Sequence, residues 1–132
     1  MYRRHAIALL AGAFFAALPL SALAQVANAP SSPAPRWEIL ASCAAAYLAN
    51  VQNRQSDPDR TPAMGAMIQD IFEQYKLAAI AYYEMDQKVS KNEADRNVGG
   101  HVKANVERFI AMDKAGTLEA YIDKCPQAEE PN

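Results

Sequence analysis

Two cysteines, Cys43 and Cys125, are the residues whose chemistry is easiest to predict. Neither belongs to a CxxC motif and neither has a histidine near it in the sequence, so a redox-active pair and a metal site are poorly supported. In an oxidising compartment an isolated pair of cysteines usually forms a disulfide. We therefore predict a Cys43–Cys125 disulfide, which in the chain-entropy model stabilises the fold by roughly 4 kcal/mol.

His101 is the only histidine beyond residue 24, and it follows the pair Gly99-Gly100. It could act as a base or as a pH sensor, yet no nucleophile or paired carboxylate lies near it in the sequence. The methionines are not clustered as copper ligands, and the Glu-x-x-His pattern of di-iron bundles, GxSxG, HExxH and the P-loop are all absent. The sequence therefore predicts no catalytic residue, no metal site and no cofactor, and favours a protein that is not an enzyme.

Five aromatic residues could line a ligand pocket between helices: Trp37, Tyr47, Tyr75, Tyr82 and Phe109. Their rings and hydroxyl groups would suit a small apolar or aromatic ligand. The competing interpretation is core packing, because Tyr75 and Tyr82 follow a heptad-like spacing and Tyr47 lies on an apolar stripe. The residues favour core packing and leave the ligand pocket as the alternative.

Predicted helices carry these side chains. The first begins near Pro35 and ends at about Gln55, and Thr61-Pro62 is typical of the start of a second helix. Along that second helix, apolar residues recur at alternating intervals of four and three, a spacing typical of helices that pack in a bundle. The members of this seam are Met64, Ile68, Ile71, Tyr75, Ala78, Tyr82, Met85 and Val89.

The second helix has two candidate end positions. Ser90 and Glu93 match a capping box, which would end the helix near Val89 and start a third one. Alternatively the second helix continues to Gly99-Gly100, because two glycines disfavour a helix. A short fourth helix then leads to Cys125. No strand pattern competes, so the sequence predicts an all-α fold, a small four-helix bundle-like domain with one disulfide.

The first 24 residues have the parts of a cleavable secretory signal. Arg3-Arg4 is basic, residues 6–20 are an apolar run shorter than the roughly 20 residues that span a bilayer, and residues 21–24 end in a small-x-small pattern. We expect Sec-type export in a bacterium, cleavage after Ala24, a periplasmic or secreted product and no membrane span after processing. The predicted organisation is a signal peptide at 1–24, a flexible leader at 25–35, a helical domain at 36–125 and a polar tail at 126–132.

Cleavage after Ala24 would also change the net charge of the chain, and the net charge limits which partners are expected. Without Arg3 and Arg4, 11 of the 13 Lys and Arg remain against 15 acidic residues, a formal charge of −4. This balance argues against nucleic acid as a partner. We expect a non-catalytic protein that binds another periplasmic or secreted protein, as an accessory subunit, an inhibitor or immunity protein, or a stress-protective protein. A homodimer is a further option, and the alternative function is a carrier of a small apolar or aromatic ligand.

Overall fold

The computed structural model describes residues 32–132. The predicted signal peptide at 1–24 and most of the predicted leader at 25–35 lie outside this range. The described part contains four helices and no strand, which confirms the predicted all-α class. The helices are α1 (Arg36–Asn53), α2 (Pro62–Gln87), α3 (Lys91–Lys114) and α4 (Leu118–Ile122). None of these four helices is long and apolar enough to cross a membrane.

A side-chain hydrogen bond caps the first turn of each of the two longest helices. The hydroxyl of Thr61 accepts a hydrogen bond of 3.2 Å from the backbone N–H of Met64, and Pro62 occupies the first turn of α2. The hydroxyl of Ser90 accepts an equivalent bond of 3.2 Å from the N–H of Glu93 at the start of α3. Each cap gives a partner to an N–H group that the first turn of a helix leaves free.

The end of α2 matches the earlier of the two predicted positions. The helix ends at Gln87, and Lys88 has a left-handed backbone conformation with a φ of 54°. A left-handed residue directly after a helix is a common way to stop it. The third helix then runs through Gly99-Gly100 without a break, so these glycines are internal to α3.

The core is built around α1, which packs against the other three helices. Its buried face is mostly alanine, and small side chains let neighbouring helices approach closely. The fully buried alanines of α1 are Ala41, Ala44, Ala45, Ala46 and Ala49. The larger core residues come chiefly from the facing sides of α2 and α3, and they include Phe72, Tyr75, Ile80, Val98 and Phe109.

The predicted seam of the second helix is correct in its middle and at Val89, which packs against the core, but two of its members are exposed. Tyr75 and Ala78 are buried, but Met64 and Met85 are 46% and 53% exposed. Met64 lies in the first turn of α2. Trp37, in the first turn of α1, contacts Tyr83, two residues before Met85. Spacing alone does not tell which members of a seam a neighbouring helix covers.

Cys43 and Cys125 form the predicted disulfide, with their Cα atoms 6.0 Å apart. The bond joins the middle of α1 to the segment after α4. Beyond it, the Tyr75 hydroxyl donates a hydrogen bond of 2.6 Å to the carbonyl of Pro126, and the Arg36 guanidinium donates one of 3.3 Å to the carbonyl of Gln127. The disulfide and these bonds hold the start of the predicted polar tail against the helices.

A carboxylate joins the end of α1 to the end of α3. The side chain of Asp113 is only 3% exposed. It accepts hydrogen bonds from Asn53 Nδ2 at 2.7 Å and from Arg54 Nε and Nη2 at 3.2 and 2.8 Å. The Arg54 guanidinium, aided by the Asn53 amide, lowers the pKa of Asp113 below its ordinary value. Charged hydrogen bonds of this kind are stronger than neutral ones.

Candidate functional site: an interhelical cleft

An open cleft of about 460 Å³ lies between α1, α2 and α3. Its floor is formed by Phe72, Val102 and Val106, which are 8%, 4% and 7% exposed. An apolar floor under a polar rim is the usual arrangement in sites for small molecules, and the volume falls in their range. The lining residues of this interhelical cleft are Leu48, Gln52, Phe72, Lys76, Gly99, Val102, Lys103, Val106 and Glu107.

Helix packing explains why the cleft is open. Both α2 and α3 pack closely on α1 but less closely on each other. A fourth long helix commonly fills such a gap in helical proteins, but α4 has five residues and none of them lines the cleft. Gly99 adds space on the α3 side, where a methyl group in place of its hydrogen would meet no atom within 4 Å.

The rim of the cleft carries charges of both signs. Lys76 Nζ lies 3.6 Å from Asp95 Oδ1, and this ion pair joins α2 to α3. Lys103 and Glu107 are exposed and stand one turn apart on α3. Because cations and anions are both present, the rim selects neither a strongly anionic nor a strongly cationic ligand. The apolar floor is the part of the cleft on which an apolar ligand can bury surface.

A second cleft, of about 440 Å³, lies at the turn between α1 and α2. Arg60 on its wall is already engaged, since its guanidinium donates to both the backbone carbonyl and the side-chain oxygen of Asn50. None of its lining residues is buried, so a ligand there would rest on side chains that stay partly exposed to water. These residues are Val51, Gln55, Arg60, Thr61, Pro62, Gly65, Ala66 and Gln69. The interhelical cleft is therefore the stronger candidate.

Three of the predicted pocket residues pack against other rings or under a charged group. Trp37 stands edge-on to Tyr83 with ring centroids 4.8 Å apart, and its indole nitrogen is buried with no acceptor among the described residues. Phe109 is fully buried and lies 4.6 Å from the ring of Tyr121. Tyr82 lies under the guanidinium of Arg36 at 6.0 Å. None of the three lines the interhelical cleft.

The other two predicted pocket residues stack on each other. The rings of Tyr47 and Tyr75 are 5.4 Å apart and nearly parallel. Burial raises the pKa of both hydroxyl groups, and the negative charge of Asp123 adds to the effect on Tyr47. These contacts support the core-packing interpretation. A ligand pocket among the five aromatic residues stays a prediction.

The structure brings Ser42 to His101, a pairing that sequence reasoning missed. Ser42 Oγ lies 3.0 Å from His101 Nε2, and the Trp37 ring stands edge-on to the imidazole at 5.5 Å. A serine nucleophile also needs donors for an oxyanion and a group that orients the imidazole. Ser42 lies inside α1, where backbone N–H groups bond within the helix, and no carboxylate bonds His101 within the described residues. The hydrogen bond between the two side chains joins α1 to α3.

Metal-ligating side chains are dispersed in the described part of the chain. Within residues 32–132, no group of three His, Cys, Asp or Glu side chains is placed to hold a metal ion. Both cysteines are engaged in the disulfide.

Sequence periodicity marked parts of the cleft without identifying it. Leu48, Val102 and Val106 fall on apolar helix faces, but spacing does not tell which part of a face another helix covers. The signal that could have found the cleft is the length of the last helix. Between Gly116 and Cys125 only eight residues are available, too few to cover helices of 18 to 26 residues.

Comparison with protein-family models, with curated proteins and with solved structures found no match to this chain. Functional inference therefore depends on the geometry of the described residues.

Proposed function

We propose that this chain is an exported, non-catalytic binding protein that carries a small apolar or aromatic ligand in the interhelical cleft. The observation that supports it is the buried apolar floor of Phe72, Val102 and Val106 beneath an open space of about 460 Å³. Burial of apolar ligand surface on this floor supplies the affinity, at about 25 cal/mol per Å² before the costs of association.

The disulfide supports the exported location. Disulfides persist in the periplasm and outside the cell and are rare in the reducing cytosol. A Sec-type signal peptide ending at Ala24 would deliver the chain there. In this proposal the four helices form a small bundle with one position unfilled, and the unfilled position is the binding site.

A titration with N-phenylnaphthylamine, a neutral aromatic dye that fluoresces in apolar surroundings, tests the proposal. The wild-type protein should bind the dye saturably at one site. Gly99→Leu should weaken binding about tenfold or more, because the new side chain enters the cleft and displaces the dye from the floor. Gly100→Leu is the matched control, since Gly100 is the neighbouring helical glycine, is exposed and does not line the cleft.

Binding that Gly99→Leu and Gly100→Leu alter equally would contradict the proposal, as would a wild-type protein that does not bind the dye. Circular dichroism of both variants checks that the helices are retained.

A second candidate function is interaction with another protein, and the exposed apolar side chains of α2 favour it. Leu77 and Met85 are 47% and 53% exposed and lie on the same side of the helix. Apolar residues grouped on a surface mark contact sites more often than single ones do. Neither residue lines the interhelical cleft, so the two candidate functions use different surfaces.

A further inference from the structure

Lys76 is the cation of the interhelical cleft that is partly withdrawn from water. It stands one turn after Phe72 on α2, on the same side of the helix as the apolar floor. The Lys76 side chain is 29% exposed, whereas that of Asp95, its ion-pair partner, is 55% exposed. Lys103, the second cation of the rim, is exposed. A partly buried ammonium group loses hydration, and an anion that binds it compensates for this loss.

The ion pair with Asp95 leaves the hydrogen-bond donors of Lys76 available. Lys76 Nζ lies 3.6 Å from Asp95 Oδ1, which is longer than the ~2.7–3.2 Å of a hydrogen bond. This pair therefore occupies none of the three N–H groups of the ammonium. Asp95 does not line the cleft, and its carboxylate keeps contact with water. An anion inside the cleft could bind Lys76 while Asp95 stays in solvent.

The charges of the cleft are separated along its length. The ion pair places Lys76 level with Asp95, and Glu107 stands twelve positions further along α3, about 18 Å in the direction of the helix axis. Exposed charges separated by more than about 8 Å are largely screened at physiological ionic strength, so Glu107 offers little repulsion to an anion at Lys76. The lining residues carry two cations, Lys76 and Lys103, against one anion, and a ligand with one negative charge complements this excess.

We propose that the ligand of the interhelical cleft is an amphipathic monoanion, an apolar or aromatic body with one carboxylate, and that Lys76 binds this carboxylate. The body of the ligand lies on Phe72, Val102 and Val106, which bury its apolar surface. The charged group stays at the rim, where the ammonium group donates charge-assisted hydrogen bonds to it. This inference rests on the proposed carrier function and adds the charge and the orientation of the ligand.

Two dyes that share one ring system test the charge of the ligand. Anilinonaphthalene sulfonate is N-phenylnaphthylamine with one added sulfonate, which stands in for the carboxylate. Fluorescence titrations give the ratio of the dissociation constant of the neutral dye to that of the sulfonate dye, and changes in the apolar floor that affect both dyes alike cancel in it. Lys76→Met should lower this ratio about fivefold, because only the sulfonate dye loses an ionic partner.

Two further variants assign the effect to the ammonium group of Lys76. Lys103→Met removes a cation from the same rim, but Lys103 is exposed and stands eight positions beyond Asp95, so the ratio should change less than about twofold. Asp95→Asn keeps the ammonium group and removes the carboxylate that competes for it, so the ratio should rise. Equal effects of the two lysine variants would overturn the inference. So would a fall in Asp95→Asn as large as in Lys76→Met, because the ion pair would then act by shaping the cleft.

The charge of the ligand and the carrier function can fail separately. Saturable binding of the neutral dye by the wild-type protein, with a ratio that Lys76→Met leaves unchanged, would overturn only the proposed charge. A wild-type protein that binds neither dye would overturn both proposals.

Discussion

At the scale of single residues, Asp113 shows how one carboxylate can join two helix ends. Its side chain is nearly buried, while its partner Arg54 is 45% exposed. Donors from Asn53 and Arg54 therefore compensate the charge of Asp113. Of the ion pair, the carboxylate is removed from water and the guanidinium stays partly exposed. Losing this group leaves both donors at the end of α1 without their acceptor, which costs more than the loss of a surface ion pair.

Asp113→Asn should destabilise the protein by about 1–2 kcal/mol at neutral pH. The folded state lowers the pKa of this carboxyl, mainly through Arg54, so its stabilisation is present above the ordinary pKa and is lost as the pH falls through the lowered value. The difference between variant and wild type should accordingly shrink under strongly acidic conditions. Urea denaturation at neutral and acidic pH measures the difference in free energy of unfolding between the two proteins. A difference that does not depend on pH would contradict the stabilising role of the ionised Asp113.

At the scale of elements, α3 contains two helical glycines with open space beside them. A methyl group at Gly99 or Gly100 would meet no atom within 4 Å, and neither glycine has a positive φ. Glycine inside a helix costs about 1 kcal/mol relative to alanine. The packing of the fold therefore does not require glycine at either position, although Gly99 keeps the cleft open.

Gly100→Ala and Gly99→Ala should each stabilise the protein by about 0.4–1 kcal/mol. Thermal denaturation should show a rise in Tm of a few degrees for each variant. Gly100→Lys is a control, because Gly100 is exposed. Lysine has a high helix propensity, so this variant should also be stabilised although it adds a charged group. A loss of stability in either alanine variant would mean that the backbone there is not helical or that the space is occupied.

At the scale of the whole molecule, the disulfide closes a loop with a sequence separation of 82 residues. Replacing both Cys43 and Cys125 by alanine should destabilise the fold by about 4 kcal/mol. That is a large share of the ~5–15 kcal/mol by which a typical domain is stable. The buried face of α1 is mostly alanine, so each buried side chain removes little apolar surface from water and the disulfide matters more. Urea denaturation should give the same free energy of unfolding for the double variant and for the reduced wild type. A loss of stability below about 1 kcal/mol would contradict a stabilising role of the disulfide.

Export predicts a defined mature chain. Intact-mass spectrometry of the protein recovered from a bacterial periplasm should give a chain that begins at Gln25 and lacks two hydrogens because of the disulfide. An unprocessed or fully reduced chain would contradict the predicted compartment.

Sequence patterns predicted the parts of this fold that are local. The caps at Thr61 and Ser90 and the apolar spacing located the helices, and the cysteine count with a predicted export signal predicted the Cys43–Cys125 bond. The cleft could not be predicted in this way, because it results from how far α2 and α3 stand apart on α1. The Ser42–His101 contact is equally non-local, joining residues 59 positions apart. Ring pairs such as Tyr47 and Tyr75 depend on the same packing.

The proposed function depends on binding of an apolar ligand in the interhelical cleft. A two-dimensional NMR titration of the protein, carrying labelled methyl groups, with N-phenylnaphthylamine tests it most directly, because a bound aromatic ring shifts the methyl signals that it contacts. We expect saturable shifts in Leu48, Val102 and Val106, and unchanged signals from Leu77 on the outer side of α2. Shifts absent from the cleft methyls, or concentrated at Leu77 and the other exposed side chains, would contradict it.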